Sequence, residues 1–122
     1  MILLIEDEPS IAELYKSKLT LHKYRVRIAA NGIEGLEQAL RKKPKLILLD
    51  LLMPKMNGER FLEKLRKHKE FDDVPVVVLT NISRDEAPRT LWHHGISDYY
   101  VKAHNTPSDL LKIVQKYIPL AQ

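Results

Sequence analysis

Four apolar or β-prone runs in this 122-residue chain each end on a residue able to do polar chemistry. Ile2 to Ile5 is followed by Glu6, Asp7 and Glu8, Leu46 to Leu49 by Asp50, and Val76 to Leu79 by Thr80, while Asp98 to Lys102 closes on an ammonium. Each residue alone has an ordinary structural use, as a charge complement before a helix, a turn former or a solvated strand end. Brought to one rim they conflict, because clustered carboxylates repel and at least one pKa rises unless a cation compensates. A hard divalent cation resolves this, and Asp7 and Asp50 offer the oxygen ligands suited to Mg²⁺, which keeps several waters and needs few protein carboxylates. A lysine and a threonine hydroxyl facing such an ion are what the remaining oxygens of a phosphoryl group require. Neither GxxxxGK[ST] nor GxGxxG occurs, so a small phosphoryl group fits better than a nucleotide.

The elements that must position these residues are legible as alternation. The three continuous apolar runs read as strands buried on both faces, hence central strands of a parallel sheet. Tyr24 to Ala30, where Val26 and Ile28 alternate with Arg25 and Arg27, and Asp98 to Lys102 read as strands nearer the edges. Helical spacing lies between them. The first helix starts near Pro9-Ser10, with Ser10 and Glu13 as a capping box, and carries Ile11, Leu14, Tyr15 and Leu19. The second opens at Asn31, places Ile33, Leu36 and Leu40 on one face, and stops at Pro44. The third follows Asn57-Gly58 with Phe61, Leu62 and Leu65. The fourth has Ser83 and Glu86 as a second candidate box and ends at Gly95, with Pro88 forcing a late or frayed start. The fifth opens at Thr106-Pro107 and carries Leu110, Leu111, Val114 and Ile118. The expectation is a single-domain α/β chain, 1–122 with its core in 1–118: a doubly wound (βα)5 parallel sheet in the flavodoxin-like order 2-1-3-4-5. In such a sheet ligands bind beyond the carboxyl ends of the strands, where the polar residues fall.

Composition narrows the field further. Twenty Lys+Arg against 16 Asp+Glu give a formal charge of +4, but the basic residues are spread among acids, which argues against direct nucleic-acid binding by this chain. With no cysteine, disulfide frameworks, thiolate metal sites and cysteine nucleophiles are excluded. The apolar runs fall far short of the roughly 18 residues of a membrane span, and Met1 to Asp7 has no basic n-region, so a cytoplasmic, membrane-free location is expected.

Glu6-Asp7, the stretch Asp50-Leu51-Leu52-Met53-Pro54-Lys55-Met56-Asn57-Gly58, Thr80 and Asp98-Tyr99-Tyr100-Val101-Lys102, in this order and spacing, resemble the receiver domain of two-component response regulators over residues 1 to 118. The resemblance implies that Asp50 accepts a phosphoryl group from a phosphohistidine of a sensor histidine kinase or phosphotransfer protein. It implies Mg²⁺ as the cofactor, held by Asp7, Asp50 and the backbone carbonyl of Leu52, with Glu6 acting through water. Lys102 and Thr80 would hold phosphoryl oxygens, and Tyr99 matches the switch aromatic, although a strand tyrosine packed over a helix would look the same. Such a protein catalyses only its own phosphorylation and dephosphorylation. It signals through the face of the fourth helix, fifth strand and fifth helix to a downstream target or output domain, or to a second copy of itself in a phosphorylation-dependent homodimer.

Four positions depart from the family's usual pattern. Ala103 stands where proline in a cis peptide is usual, which predicts either a trans bond with a rearranged loop or a strained cis bond. Asn81 follows Thr80 where a small residue is usual and would crowd the route to Asp50. Leu52 and Ile82 are apolar at positions that line the site, which predicts a long-lived phosphorylated state. A module that signals by contact alone, without phosphorylation, is the alternative that Ala103 and Asn81 support. A Mg²⁺-dependent phosphohydrolase would need an acid where Leu52 stands. Trp92 is a candidate contact or half-buried residue, and the adjacent His93 and His94 point in different directions on a helix and receive no function. No output domain is expected within this chain, which acts either alone or as part of a longer regulator.

Overall fold

A computed structural model describes residues 1–53 and 55–119; Pro54 of the Asp50–Gly58 stretch and residues 120–122 lie outside the described residues. Strands β1 (Ile2–Ile5), β2 (Val26–Ala29), β3 (Leu46–Leu49), β4 (Val76–Thr80) and β5 (Asp98–Val101) form one parallel sheet in the order β2-β1-β3-β4-β5. The ladder pairs Ile2 with Val26 and Leu46, Ile47 with Val76, and Val77 with Asp98. Helices α1 (Pro9–Leu21), α2 (Gly32–Arg41), α3 (Gly58–Leu65) and α4 (Thr90–His93) are the crossovers, and α5 (Pro107–Tyr117) follows β5.

Because side chains alternate along a strand, the continuous apolar runs supply two cores at once. Leu3, Ile5, Ile47, Leu49, Val76 and Val78 face α2, α3 and α4, where they meet Ala39, Phe61, Leu62 and Leu91. Ile2, Leu4, Leu46, Leu48, Val77 and Leu79 face α1 and α5, where they meet Ala12, Tyr15, Leu19, Leu110 and Val114. Strand β2 covers only Val26–Ala29 of the longer expected stretch, and the Gln38 side chain donates to the carbonyl of Ile28 (3.1 Å) at this sheet edge.

Three local expectations change. Helix α1 is capped by Glu8 in extended backbone with Pro9 at the first helical position, so Ser10 falls inside the first turn and the Ser10–Glu13 box does not form. On α2 the buried residues are Gly32, Gly35 and Ala39, whereas Ile33 and Leu40 are exposed and Leu36 is half-buried. The reason is close approach: a Cβ on Gly35 would sit 2.5 Å from the Ile5 side chain, so the small residues carry the helix onto the sheet. The fourth helix is reduced to one turn. Ser83 supplies no side-chain cap; Arg84–Glu86 form a 3-10 turn, Ala87 is extended before Pro88, and α4 begins only at Thr90, the late start expected. Gly95, with φ +72°, takes the left-handed position just past α4. Thr106 and Asp109 form a complete capping box on α5.

Arg66, the cap residue at the end of α3, holds this region together. Its half-buried guanidinium donates to the carbonyls of His94 (2.8 Å), Phe71 (2.5 Å), Val74 (3.3 Å) and Gly95 (3.2 Å), tying α3 to the end of α4 and to the connection before β4. Charge-assisted bonds of this kind contribute about 1.5–3 kcal/mol each when a partner is lost. Arg66→Ala is therefore expected to lower stability by about 2 kcal/mol in urea unfolding, with faster amide exchange at Gly95. Unchanged exchange there would show that α4 does not depend on this clasp.

Candidate functional site

The strand order reverses between β1 and β3, and the polar residues gather where these strands end. The N–H of Asp50 donates to the carbonyl of Ile5 (3.1 Å), and that of Glu6 to the carbonyl of Ala29 (3.0 Å), so the sheet ladder itself sets Glu6 and Asp50 side by side. Thr80 ends β4 and Lys102 follows β5. Together with Asp7, Glu8, Ile11, Leu52 and Asn81 they line a cleft of about 140 Å³. The loop after β3 is pressed tightly against α3: a Cβ on Gly58 would run into the Asp50 carbonyl, and the Gly58 N–H donates to the carbonyl of Leu51 (3.0 Å). Glycine at that position is what lets the loop fold back under Asp50.

Glu6, Asp50 and Thr80 are buried, while Asp7 is half-buried. One oxygen from each of Glu6, Asp7 and Asp50 lies within 4.8 Å of the others. Lys102 pairs with Glu6 and places its ammonium 3.4 Å from Asp50 Oδ2, while the Leu52 N–H donates to Asp50 Oδ1 (3.2 Å). One ammonium does not balance three carboxylates. Burial, with Asp7 close by, holds the Asp50 carboxyl above its ordinary pKa, and burial, with Asp50 close by, does the same for Glu6. Burial opposes the charge on Lys102, but Glu6 and Asp50 outweigh it and the ammonium titrates above the usual lysine range. An uncompensated cluster of hard oxygen donors is the chemistry that a small divalent cation satisfies. The donor set therefore fits Mg²⁺.

Thr80 Oγ1 accepts from the Ile82 N–H (3.3 Å), and the Tyr99 hydroxyl donates to the Ile82 carbonyl (2.7 Å). One peptide segment thus links the cleft to Tyr99, which is 7% exposed. The Lys102–Ala103 peptide is trans, and Lys102–His104 form a 3-10 turn. Asn81 is exposed and lines the cleft with Leu52, which is 61% exposed, whereas Ile82, expected to line the site, is half-buried against the core and lies outside the cleft lining. Trp92 is 45% exposed, and His93 and His94 stand outside the acidic cluster. Two contributors carry no distinguishing signal in the sequence: Ile11, which reads as an ordinary helix apolar position, forms part of the cleft wall, and Arg84 stacks over Trp92 and Tyr99.

A flavodoxin-like sheet with an acid-lined cleft at its switch point and a lysine across from it defines a receiver-type signalling module. The chain belongs to the response regulator receiver domain family, whose sequence profile matches residues 2–115. It is 40% identical over 101 residues to the probable transcriptional regulator ycf27 of Porphyridium aerugineum, covering 83% of this chain and 41% of that protein. It is 32% identical over 112 residues to the DNA-binding dual master transcriptional regulator RpaA of Synechocystis, covering 92% and 46%. The chain thus spans less than half the length of these relatives. Among solved structures it superposes on the chemotaxis response regulator CheY4 of Vibrio cholerae with a TM-score of 0.88, at 28% identity over 96% of this chain and 97% of that one. The receiver domain of the sensor histidine kinase PA1611 from Pseudomonas aeruginosa, whose active-site cleft coordinates a magnesium ion, matches with a TM-score of 0.86, at 28% identity over 96% and 95%.

Proposed function

We propose that this chain is a phosphorylation-activated receiver acting in the cytoplasm as a single folded unit, with Asp50 as phosphoacceptor and a sensor histidine kinase or phosphotransfer protein as donor. The observation that carries the reading is the convergence of Glu6, Asp7, Asp50, Thr80 and Lys102, from four strand ends, on one small cleft. An Asp50 carboxylate oxygen attacks the phosphorus of a phosphohistidine; the new O–P bond forms as the P–N bond breaks, and the imidazole nitrogen keeps the electron pair and takes up a proton. Asp50 is a weak nucleophile, so positioning and charge neutralisation carry the acceleration. Lys102, already 3.4 Å from Asp50, supplies a point charge to the transferring oxygens. Thr80, whose oxygen accepts from Ile82, has its own hydroxyl proton free to donate to a phosphoryl oxygen. Mg²⁺, held by Asp7, Asp50 and the Leu52 carbonyl with Glu6 reached through water, would neutralise the remaining negative charge.

As Thr80 turns to the phosphoryl group it gives up the Ile82 N–H, and the same segment carries the acceptor of Tyr99. The face of α4, β5 and α5 then changes for its reader, a downstream target, an output domain or a second copy in a homodimer. The test is intact mass after incubation with acetyl phosphate, with and without Mg²⁺, for wild type and Asp50→Asn. Gain of one phosphoryl group that needs both Mg²⁺ and Asp50 is expected; no gain, with kinase-borne phosphohistidine also failing, would leave a contact-only module.

Hydrolysis of the phosphoaspartate needs an oriented water, and Leu52, which lines the cleft, offers no hydrogen bond to one. A long-lived phosphorylated state is expected, shortened several-fold in Leu52→Asn. Label followed after removal of the phosphodonor measures this, and equal decay in both proteins would show that Leu52 does not control water access.

A further inference from the structure

Tyr99 is buried, and the neighbours that cover it are specific. Its ring stacks on Trp92, with centroids 6.1 Å apart and planes at 25°. The Arg84 guanidinium lies 5.6 Å from the Trp92 ring centroid and 5.9 Å from that of Tyr99, so one cation covers both rings. The Tyr99 hydroxyl completes the arrangement on the carbonyl of Ile82. Arg84 sits on the 3-10 turn before Pro88 and Trp92 on the single turn of α4 after it. The latch therefore spans the segment in which regular helix is interrupted, and it joins both sides of the break to β5.

We propose that Arg84 and Trp92 are positioning residues that latch Tyr99 inward whether or not Asp50 carries a phosphoryl group, so that the signalling face of this chain is partly pre-set and the threshold for activation is lowered. Neither residue belongs to the motifs that carry the family resemblance. The proposal rests on the switch role assigned to Tyr99 above. A cation over aromatic faces at an exposed site shifts a two-state balance about two- to fivefold. Without the latch, Tyr99 would depend on Thr80 releasing Ile82 in order to settle inward; with it, the inward state is populated at rest and phosphorylation adds to an existing bias.

The experiment is ¹⁹F NMR of the full chain labelled with 3-fluorotyrosine, with the Tyr99 resonance assigned through Tyr99→Phe and intact mass recorded for every sample. In unphosphorylated Arg84→Ala the ratio of buried to exposed Tyr99 signal is expected to fall about two- to fivefold below wild type, to recover on addition of acetyl phosphate with Mg²⁺, and to stay near wild type in Arg84→Lys. Arg84 is exposed, so folding is not at risk. Identical ratios in wild type and Arg84→Ala would overturn the latch. A lowered ratio that stays lowered although mass shows a phosphoryl gain would overturn the switch role of Tyr99, and with it the lowered threshold. If mass shows no phosphoryl gain at all, the receiver chemistry fails and the threshold with it, while the resting ratios still decide whether the latch exists.

Discussion

Asp50→Asn is expected to raise the stability of the metal-free protein and, on the function proposed above, to abolish phosphoryl acceptance. Asp50 is buried with Glu6 and Asp7 beside it, and its raised pKa means that the folded state holds the proton more tightly than the unfolded chain does. At neutral pH the ionised carboxylate is therefore a cost to folding, because each tenfold gain in proton affinity on folding corresponds to about 1.4 kcal/mol. The amide removes that charge at nearly the same volume, and Lys102 keeps Glu6 as its partner. In urea with EDTA the variant is expected to unfold at a higher midpoint than wild type. Added Mg²⁺ is expected to reverse the order, because a cation held by the folded wild-type cluster as proposed would stabilise it by mass action. If the midpoints coincide in EDTA, the cluster is already neutralised by protonation.

Lys102→Ala acts in the opposite direction. Removing the ammonium leaves Glu6, 2% exposed, with no counter-charge and, among the described residues, only the Glu8 N–H (3.2 Å) as a donor. Breaking a buried pair from one side costs about 3 kcal/mol or more, and that loss is expected at pH 8. The sign with pH follows from the shifts. The wild-type lysine titrates above its ordinary range when folded, so its contribution is complete below pH 10.5 and is lost as pH rises through the folded value. Glu6 and Asp50 titrate above their ordinary values of 4.5 and 3.8, so burying them costs nothing at low pH and progressively more as pH rises through those values to the folded ones. The gap between Lys102→Ala and wild type should therefore narrow as pH falls toward about 4, where carboxylates ordinarily take up their protons. Urea midpoints across that range measure it, and a gap independent of pH would mean that packing of the lysine stem, not its charge, supports the site. The variant should also accept phosphoryl from acetyl phosphate far more slowly.

Much of this was legible in the residue order because it depends on neighbours in the chain. Continuous apolar runs of four or five residues suit strands with both faces covered, and strands alternating with helical spacing suit the parallel sheet observed. Asn31, Asn57 and Thr106, where helices were expected to open, each cap one, whereas the boxes expected at Ser10–Glu13 and Ser83–Glu86 do not cap theirs. The site positions were legible for the same reason: a residue that ends a parallel strand has its place in space fixed by the ladder.

Most of what failed or stayed open depended on partners far along the chain. The buried face of α2 was misread because hydrophobicity favours Ile33 and Leu40, whereas the distance of helix from sheet is set by Gly35 against Ile5 and Phe61. Glu6 pairs with Lys102 across 96 residues, and no local pattern announces that bond. Tyr99 reads as either a core or a switch residue until Ile82, Trp92 and Arg84 close around it. Strand periodicity and capping are properties of consecutive residues, so sequence determines the elements and the rim on which the polar groups stand. Pair distances, burial and the balance of charge among Glu6, Asp7, Asp50 and Lys102 arise only when the strands lie side by side, so tertiary structure alone decides them.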